Sequence, residues 1–255
     1  MHGNTWAKER SFDLNNINRL FNAEISYIRI PNFATEIECL MLSDEIKRSN
    51  IDFYENFDPP VGKLGVTQYD GIIMGKDFYF NHVEASNKLQ KKIFSCSFNP
   101  LERIFYKLSE ISSFELTIPK EPGYGKYYAG VIREINQSVR VHADFAVYDA
   151  PDWLISNISS QLTWNLYCNM PKIGGECIIY NYLWNIDNDR KLDLNTYQYN
   201  LEPLVDCEAK VIKPNTGDLY IFNSRNFHEV TMASSSRLSI SSFIGKCDNQ
   251  LLFWS

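Results

Sequence analysis

Val139-Arg140-Val141-His142-Ala143-Asp144-Phe145 has the β-branched, alternating character of a strand and carries two metal-ligand residue types two positions apart. In a strand, residues i and i+2 project to one face, so His142 and Asp144 address one point while Ala143 turns away. Two imidazoles and one carboxylate form the ligand set of a non-haem Fe(II) centre that leaves one face of the metal open. The third ligand must then arrive from another strand. His228 qualifies, because it follows Gly217-Asp218-Leu219-Tyr220-Ile221-Phe222, a hydrophobic strand led in by a glycine turn. Past the turn Ala233-Ser234-Ser235-Ser236 comes Arg237-Leu238-Ser239, where alternation again puts Arg237 and Ser239 on one face. A guanidinium fork suits a carboxylate bidentately and a hydroxyl can add a hydrogen bond. H-x-D alone is a weak signal; the ordered set H-x-D, H, R-x-S carries the weight. Unbroken alternation also places Arg140 on the ligand face, where it needs an anion, whereas a bulge would turn it to solvent.

Working outward, everything from Gly125 reads as strands. Tyr127–Ile135, Val139–Phe145, Gln161–Asn169, Glu176–Asn181, Ala209–Ile212, Asp218–Phe222, His228–Thr231 and Arg237–Ile244 are short, β-branched or aromatic, and separated by turn residues. About eight such strands imply a double-sheet barrel of jelly-roll type. Within Gln161–Asn169, the polar set Thr163, Asn165 and Tyr167 shares the face opposite Trp164, Leu166 and Cys168 and is expected to line the barrel. Gly174-Gly175 reads as a tight turn and Glu176 as structural. Asn185–Pro203 is a polar insert carrying Tyr197 and Tyr199, either a border of the pocket mouth or an ordinary surface loop. Phe253-Trp254 either closes over the pocket or packs against the body of the fold.

Before Gly125 the pattern is helical. Glu24–Ile30 alternates as a strand and Pro31 ends it. Thr35-Glu36-Ile37-Glu38 is a capping box that opens a helix to about Arg48. Ile37, Leu40 and Met41 share one side of it and Cys39, Leu42 and Ile46 another, which predicts broad burial. Ile51–Gly75, with Pro59-Pro60 and four glycines, reads as loops that could cover a substrate. Helices are expected over Val83–Ser95 and Pro100–Ile111, with His82 at a helix start as a cap or surface residue and His2 in a flexible terminus. The expected fold is mainly β with α: a double-stranded β-helix (jelly-roll) core over about 125–246, supported by N-terminal helices over about 1–124 packed on one sheet. Residues 1–255 are expected to form one domain.

Composition narrows the function classes. At 44% hydrophobic and 14% aromatic, the chain has ample material for a core. A net charge of -6 offers no footprint for nucleic acid, although a local pocket can still oppose that sign for a small anion. The start, Met1-His2-Gly3-Asn4-Thr5-Trp6, lacks the shape of a signal peptide. No stretch approaches the roughly 20 apolar residues that span a bilayer. Six scattered cysteines without a C-x-x-C pair fit reduced thiols in a cytoplasmic protein with no membrane partner.

These residues resemble the Fe(II)/2-oxoglutarate oxygenase superfamily, especially its prolyl-4-hydroxylase-like branch. The matching pieces are Val141-His142-Ala143-Asp144, Gln161-Leu162-Thr163-Trp164-Asn165-Leu166-Tyr167 and Gly174-Gly175-Glu176. They continue with Lys213 to Phe222, Phe227-His228-Glu229-Val230-Thr231 and Arg237-Leu238-Ser239-Ile240-Ser241, about half the chain in all. The resemblance implies that His142, Asp144 and His228 bind iron. It also implies that Arg237 grips the distal carboxylate of 2-oxoglutarate, with Ser239 and Tyr167 assisting. Gly65-Val66-Thr67-Gln68-Tyr69, Arg133-Glu134-Ile135-Asn136 and the aromatic C-terminal end are similar to a narrower branch of free-amino-acid hydroxylases and halogenases. Its halogenases carry glycine or alanine where the ligand carboxylate stands, leaving that metal position to chloride; Asp144 therefore favours hydroxylation.

The implied activity is 2-oxoglutarate-dependent dioxygenase chemistry. O2 and 2-oxoglutarate give succinate and CO2 as an unactivated C–H bond of a small molecule is hydroxylated, with ascorbate as reductant in vitro. Arg140, Asn165, Arg133, Asn136 and Trp254 are the candidate substrate contacts. Desaturation, cyclisation or peptide side-chain hydroxylation by the same oxidant are the near alternatives. A cupin-type metal enzyme that uses no 2-oxoglutarate and a jelly-roll binding module without chemistry are the distant ones.

Overall fold

The computed structural model describes residues 6–55, 57–186, 191–193, 198–199 and 201–255. The period-two pattern after Gly125 forms two antiparallel sheets that face each other. The principal strands are β1 (Ile28–Ile30), β2 (Gly62–Leu64), β3 (Val131–Ile135), β4 (Val139–His142), β5 (Ser160–Asn169) and β6 (Cys177–Leu183). They continue with β7 (Ala209–Ile212), β8 (Leu219–Asn223), β9 (Asn226–Val230), β10 (Arg237–Cys247) and β11 (Gln250–Trp254). The larger sheet runs β1-β8-β5-β10-β3-β2, with β11 folding back on the C-terminal half of β10. The smaller sheet runs β7-β6-β9-β4. Strand and helix content are nearly equal, about 31% and 29%, because the helical support is as substantial as the jelly roll it covers.

The helices α1 (Leu14–Phe21), α2 (Glu36–Lys47), α4 (Lys76–Phe94) and α5 (Pro100–Ile111) pack on the outside of the larger sheet, as expected; α3 (Gln68–Met74) lies apart from that layer. Leu162, Trp164, Leu166 and Cys168 of β5 meet Leu42 and Ile46 of α2 and Ile104 and Leu108 of α5 in one cluster. Burying such side chains contributes roughly 1.5–3 kcal/mol each, so this interface anchors the fold.

Local signals explain the helix starts. The Thr35–Glu38 capping box is formed, and Arg103 adds contacts at 3.0 and 2.6 Å to the two Glu38 carboxylate oxygens. These bonds hold the Glu38 carboxyl down at about 2. Broad burial of α2 is not what forms. Cys39, Leu42 and Ile46 are fully buried, but Ile37, Leu40 and Met41 are exposed, because the helix rests on the sheet by one face and the other looks outward.

The helices α1 and α3 escaped the sequence pattern. Asp13 caps α1 by accepting from the Asn16 amide, and Thr67-Gln68-Tyr69-Asp70 forms a second capping box that starts α3 within the expected loop region. Gly75, at φ 97°, separates α3 from α4, which therefore begins at Lys76 rather than Val83. His82 is in consequence an exposed residue within α4, stacked on Phe78 rather than at a helix start. The first strand is also shorter than expected, since only Ile28–Ile30 pairs with β8. None of the described helices is long and apolar enough to cross a membrane.

Candidate active site

His142 ends β4 and His228 lies directly opposite it on β9, with ring centroids 4.2 Å apart. The Asp144 Oδ2 atom lies 3.8 Å from His142 Nε2 and 3.7 Å from His228 Nε2. All three ligand atoms fall within 4.8 Å of one another. Two metal–ligand bonds of about 2.1 Å reach at most about 4.2 Å across one ion, so Asp144 and either histidine can share a metal. The tautomers fit as well. His142 Nδ1 sits 2.7 Å from the Arg140 carbonyl and His228 Nδ1 sits 2.9 Å from the Asn226 carbonyl. A carbonyl only accepts, so each Nδ1 carries the proton and each Nε2 presents a lone pair to the shared point. Burial, with His142 beside it, pushes His228 down to about 3, which keeps the ring in the neutral form that a metal requires. The donor set therefore fits Fe(II).

The pocket at this point lies between the two sheets, a cavity of about 120 Å³. Tyr167, Asn165 and Thr163 line it, confirming that the polar face of β5 looks inward. Arg237 and Ser239 follow on β10, next to Tyr167 in the register Ser239↔Tyr167. Arg237 is 3% exposed, yet among the described residues no carboxylate pairs with it. Its Nε donates to the Gly175 carbonyl at 3.1 Å, and its guanidinium carbon lies 4.8 Å from the centre of the Tyr167 ring. Gly174 and Gly175 have φ 77° and 75°, so the expected tight turn also aims this arginine. Glu176 accepts from the Thr231 hydroxyl across the neighbouring strand, a structural bond.

The remaining candidates divide. Arg133 lines the pocket, its guanidinium donating to Tyr54 Oη at 3.1 Å and to Ser241 Oγ at 2.6 Å. Arg140 does not. Between β4 and β9 the register jumps from His142↔His228 to Val139↔Val230, and this bulge turns Arg140 outward to an exposed pair with Asp58 at 2.8 Å. Asn136 stands exposed in the turn after β3, outside the pocket lining. Trp254 is no lid: it is fully buried within β11, and its indole N–H donates to Gln68 Oε1 at 2.6 Å. Tyr199 of the polar insert is buried, and its hydroxyl donates to the Ala143 carbonyl at 3.2 Å, behind the ligand strand. Tyr197 and His2 lie outside the described residues.

The segment Ile51–Gly75, expected to cover a substrate, does reach the pocket, through residues that the pattern reading did not single out. Tyr54, Phe57 and Tyr69 form an aromatic group with ring centroids 5.0–5.8 Å apart on one pocket wall, beside Gln68 and Ile72 of α3. The signal for α3 was present in Thr67-x-x-Asp70. The glycines and prolines of the segment pointed to a covering loop, but nothing local singled out Tyr54 and Phe57 as its pocket-facing residues.

Fold and site together define an enzyme of the Fe(II)/2-oxoglutarate oxygenase superfamily. The family model described as carrier-protein-independent halogenase WelO5 matches residues 7–255, and the chain belongs to that family. Leucinostatins biosynthesis cluster protein S of Purpureocillium lilacinum is 35% identical over 230 residues, covering 86% of this chain and 92% of that protein. Among solved structures, an N-substituted L-amino acid dioxygenase from Burkholderia ambifaria AMMD, crystallised with alpha-KG, has a TM-score of 0.63 at 15% identity. It covers 94% of this chain, which spans 90% of it. The epimerase SnoN from nogalamycin biosynthesis has a TM-score of 0.53 at 11% identity, covering 92% and 84% of the two chains. At these identities the structural likeness is one of fold.

Proposed function

We propose that this protein is an Fe(II)- and 2-oxoglutarate-dependent hydroxylase of a small molecule, with a free amino acid as the substrate class to test first. The observation that carries this reading is Asp144, whose carboxylate stands beside both histidine Nε2 atoms. His142, Asp144 and His228 would hold the metal. Arg237 would take the distal carboxylate of 2-oxoglutarate as a charge-assisted, bidentate partner, with Ser239 and Tyr167 completing the cradle. Bound there, iron and 2-oxoglutarate supply the oxidant derived from O2 that cleaves an unactivated C–H bond. The chain's own part is positioning. Arg133 and Asn165 offer polar contacts to the substrate, the Tyr54–Phe57–Tyr69 wall shields its apolar part from water, and the smaller sheet presents the three ligands from one side of it.

The WelO5 description of the family supports a second reading, chlorination. Asp144 opposes it, because a third protein ligand takes the metal position that a halide would need.

One experiment separates the two: incubation in chloride buffer with Fe(II), ascorbate, 2-oxoglutarate and a panel of amino acids. Hydroxylation gives succinate in step with a product heavier by one oxygen. A chlorinated product would overturn the reading, and a product two hydrogens lighter would replace it with desaturation or cyclisation.

A further inference from the structure

The residues between the metal ligands and the rest of the fold are unusual in one respect. Strand β4 ends at His142, so Asp144 lies past the last cross-strand pair and its main chain has no ladder to hold it. Main-chain groups shielded from water need partners; here two buried side chains bond the Asp144 carbonyl and the Ser224 carbonyl takes its amide. Gln161 is 1% exposed and Ser224 is fully buried. The Gln161 amide donates through Nε2 to the Asp144 carbonyl at 3.3 Å and to Ser224 Oγ at 3.1 Å, while its Oε1 accepts from the Ala146 amide at 2.9 Å. Ser224 Oγ donates to the same Asp144 carbonyl at 3.1 Å, and the Asp144 amide donates to the Ser224 carbonyl at 2.9 Å.

We infer that Gln161 and Ser224 are positioning residues that fix the Asp144 carboxylate at the metal point; the inference rests on the metal-site reading above. Gln161 projects from β5 of the larger sheet, on the same face as Thr163, Asn165 and Tyr167. Ser224 lies in the turn that carries the chain from β8 of the larger sheet to β9 of the smaller one. The two thus brace the ligand turn against both sheets at once. They bond to the main chain of the ligand residue itself, so a shift of the brace is a shift of the carboxylate. A carboxylate on an unbraced turn would lose backbone freedom on binding metal. The brace places that cost in folding instead. It also keeps the third position occupied by the protein, the feature on which oxygenation rather than halide binding depends.

The test is anaerobic titration with Fe(II) and, for its absorption spectrum, Co(II), on wild type, Gln161→Met, Ser224→Ala and Asp144→Asn, with the metal-free Tm measured alongside. Gln161→Met keeps the volume and removes all three hydrogen bonds. It is expected to weaken metal binding about 10- to 100-fold, the usual effect of losing an outer partner of a ligand, and to alter the Co(II) spectrum. Ser224→Ala, which keeps the bond to its backbone carbonyl, should show the same changes to a smaller degree. A purely structural role predicts a lower Tm with affinity and spectrum unchanged, and that result overturns the inference. If Gln161→Met does not fold, Ser224→Ala decides in the same way. Should wild type bind no metal, or Asp144→Asn bind as tightly as wild type, the metal-site reading itself fails. Weakened Asp144→Asn beside unaltered brace variants sinks only the brace.

Discussion

The two faces of strand β5 do different work. Leu162, Trp164, Leu166 and Cys168 point outward into the helical layer and form part of the main hydrophobic cluster. Gln161, Thr163, Asn165 and Tyr167 point inward, where Gln161 touches the ligand turn and the other three line the pocket. Neighbours along the chain thus serve stability and chemistry in alternation, because consecutive strand residues project to opposite sides. Substitutions on the outer face should lower stability, and substitutions facing the pocket should lower activity in a protein that remains folded.

The sharpest way to test that separation is on the ligand side. His142→Ala should abolish succinate formation and metal binding while circular dichroism and metal-free Tm stay close to wild type. Full coupled turnover by this variant would remove the site from the molecule. On the opposite face, Trp164→Ala should cost about 3–5 kcal/mol in urea unfolding, read as a lower midpoint, with the ligand set still able to bind metal in the folded fraction. Arg237→Gln comes next. It should raise the KM for 2-oxoglutarate by about 30-fold or more, since a buried charge partner is commonly worth at least 2 kcal/mol. An unchanged KM would break the link between the inner face and the co-substrate.

The smallest expected effect lies farthest from the pocket, in the cap of α2. Thr35→Ala should cost about 1 kcal/mol of stability and leave turnover intact. Glu38 in the same cap gives a pH signature. Its folded carboxyl is held at about 2, below its ordinary 4.5, so the unfolded chain binds the proton more readily. Its stabilisation is therefore complete above pH 4.5 and lost as pH falls from there through about 2. Arg103→Ala should shrink that acid dependence, as measured by the urea midpoint between pH 6 and 3.

The common side of His142 and Asp144, that of Arg237 and Ser239, and the inward polar face of β5 were legible in the sequence, since each follows from alternation along one stretch of chain. Arg140 kept two readings under the same rule, and the bulge against the partner strand β9 chose the solvent-facing one. Trp254 kept two readings in the sequence, and its hydrogen bond to Gln68 chose the buried one. The helix α3 announced itself through Thr67 and Asp70, a short polar signal in a stretch whose glycines and prolines argue for loops.

By itself, then, the sequence determined which residue types could bind a metal, in what order, and on which strand faces, because those depend on short-range geometry with a fixed period. Only the tertiary structure decided which distant residues meet. The approach of His228 to His142, the return of Tyr54, Phe57 and Tyr69 to the barrel mouth, and the bracing of Asp144 by Gln161 and Ser224 all join segments far apart in the chain. Such contacts arise from which strands pair and how the sheets pack, which no local period encodes.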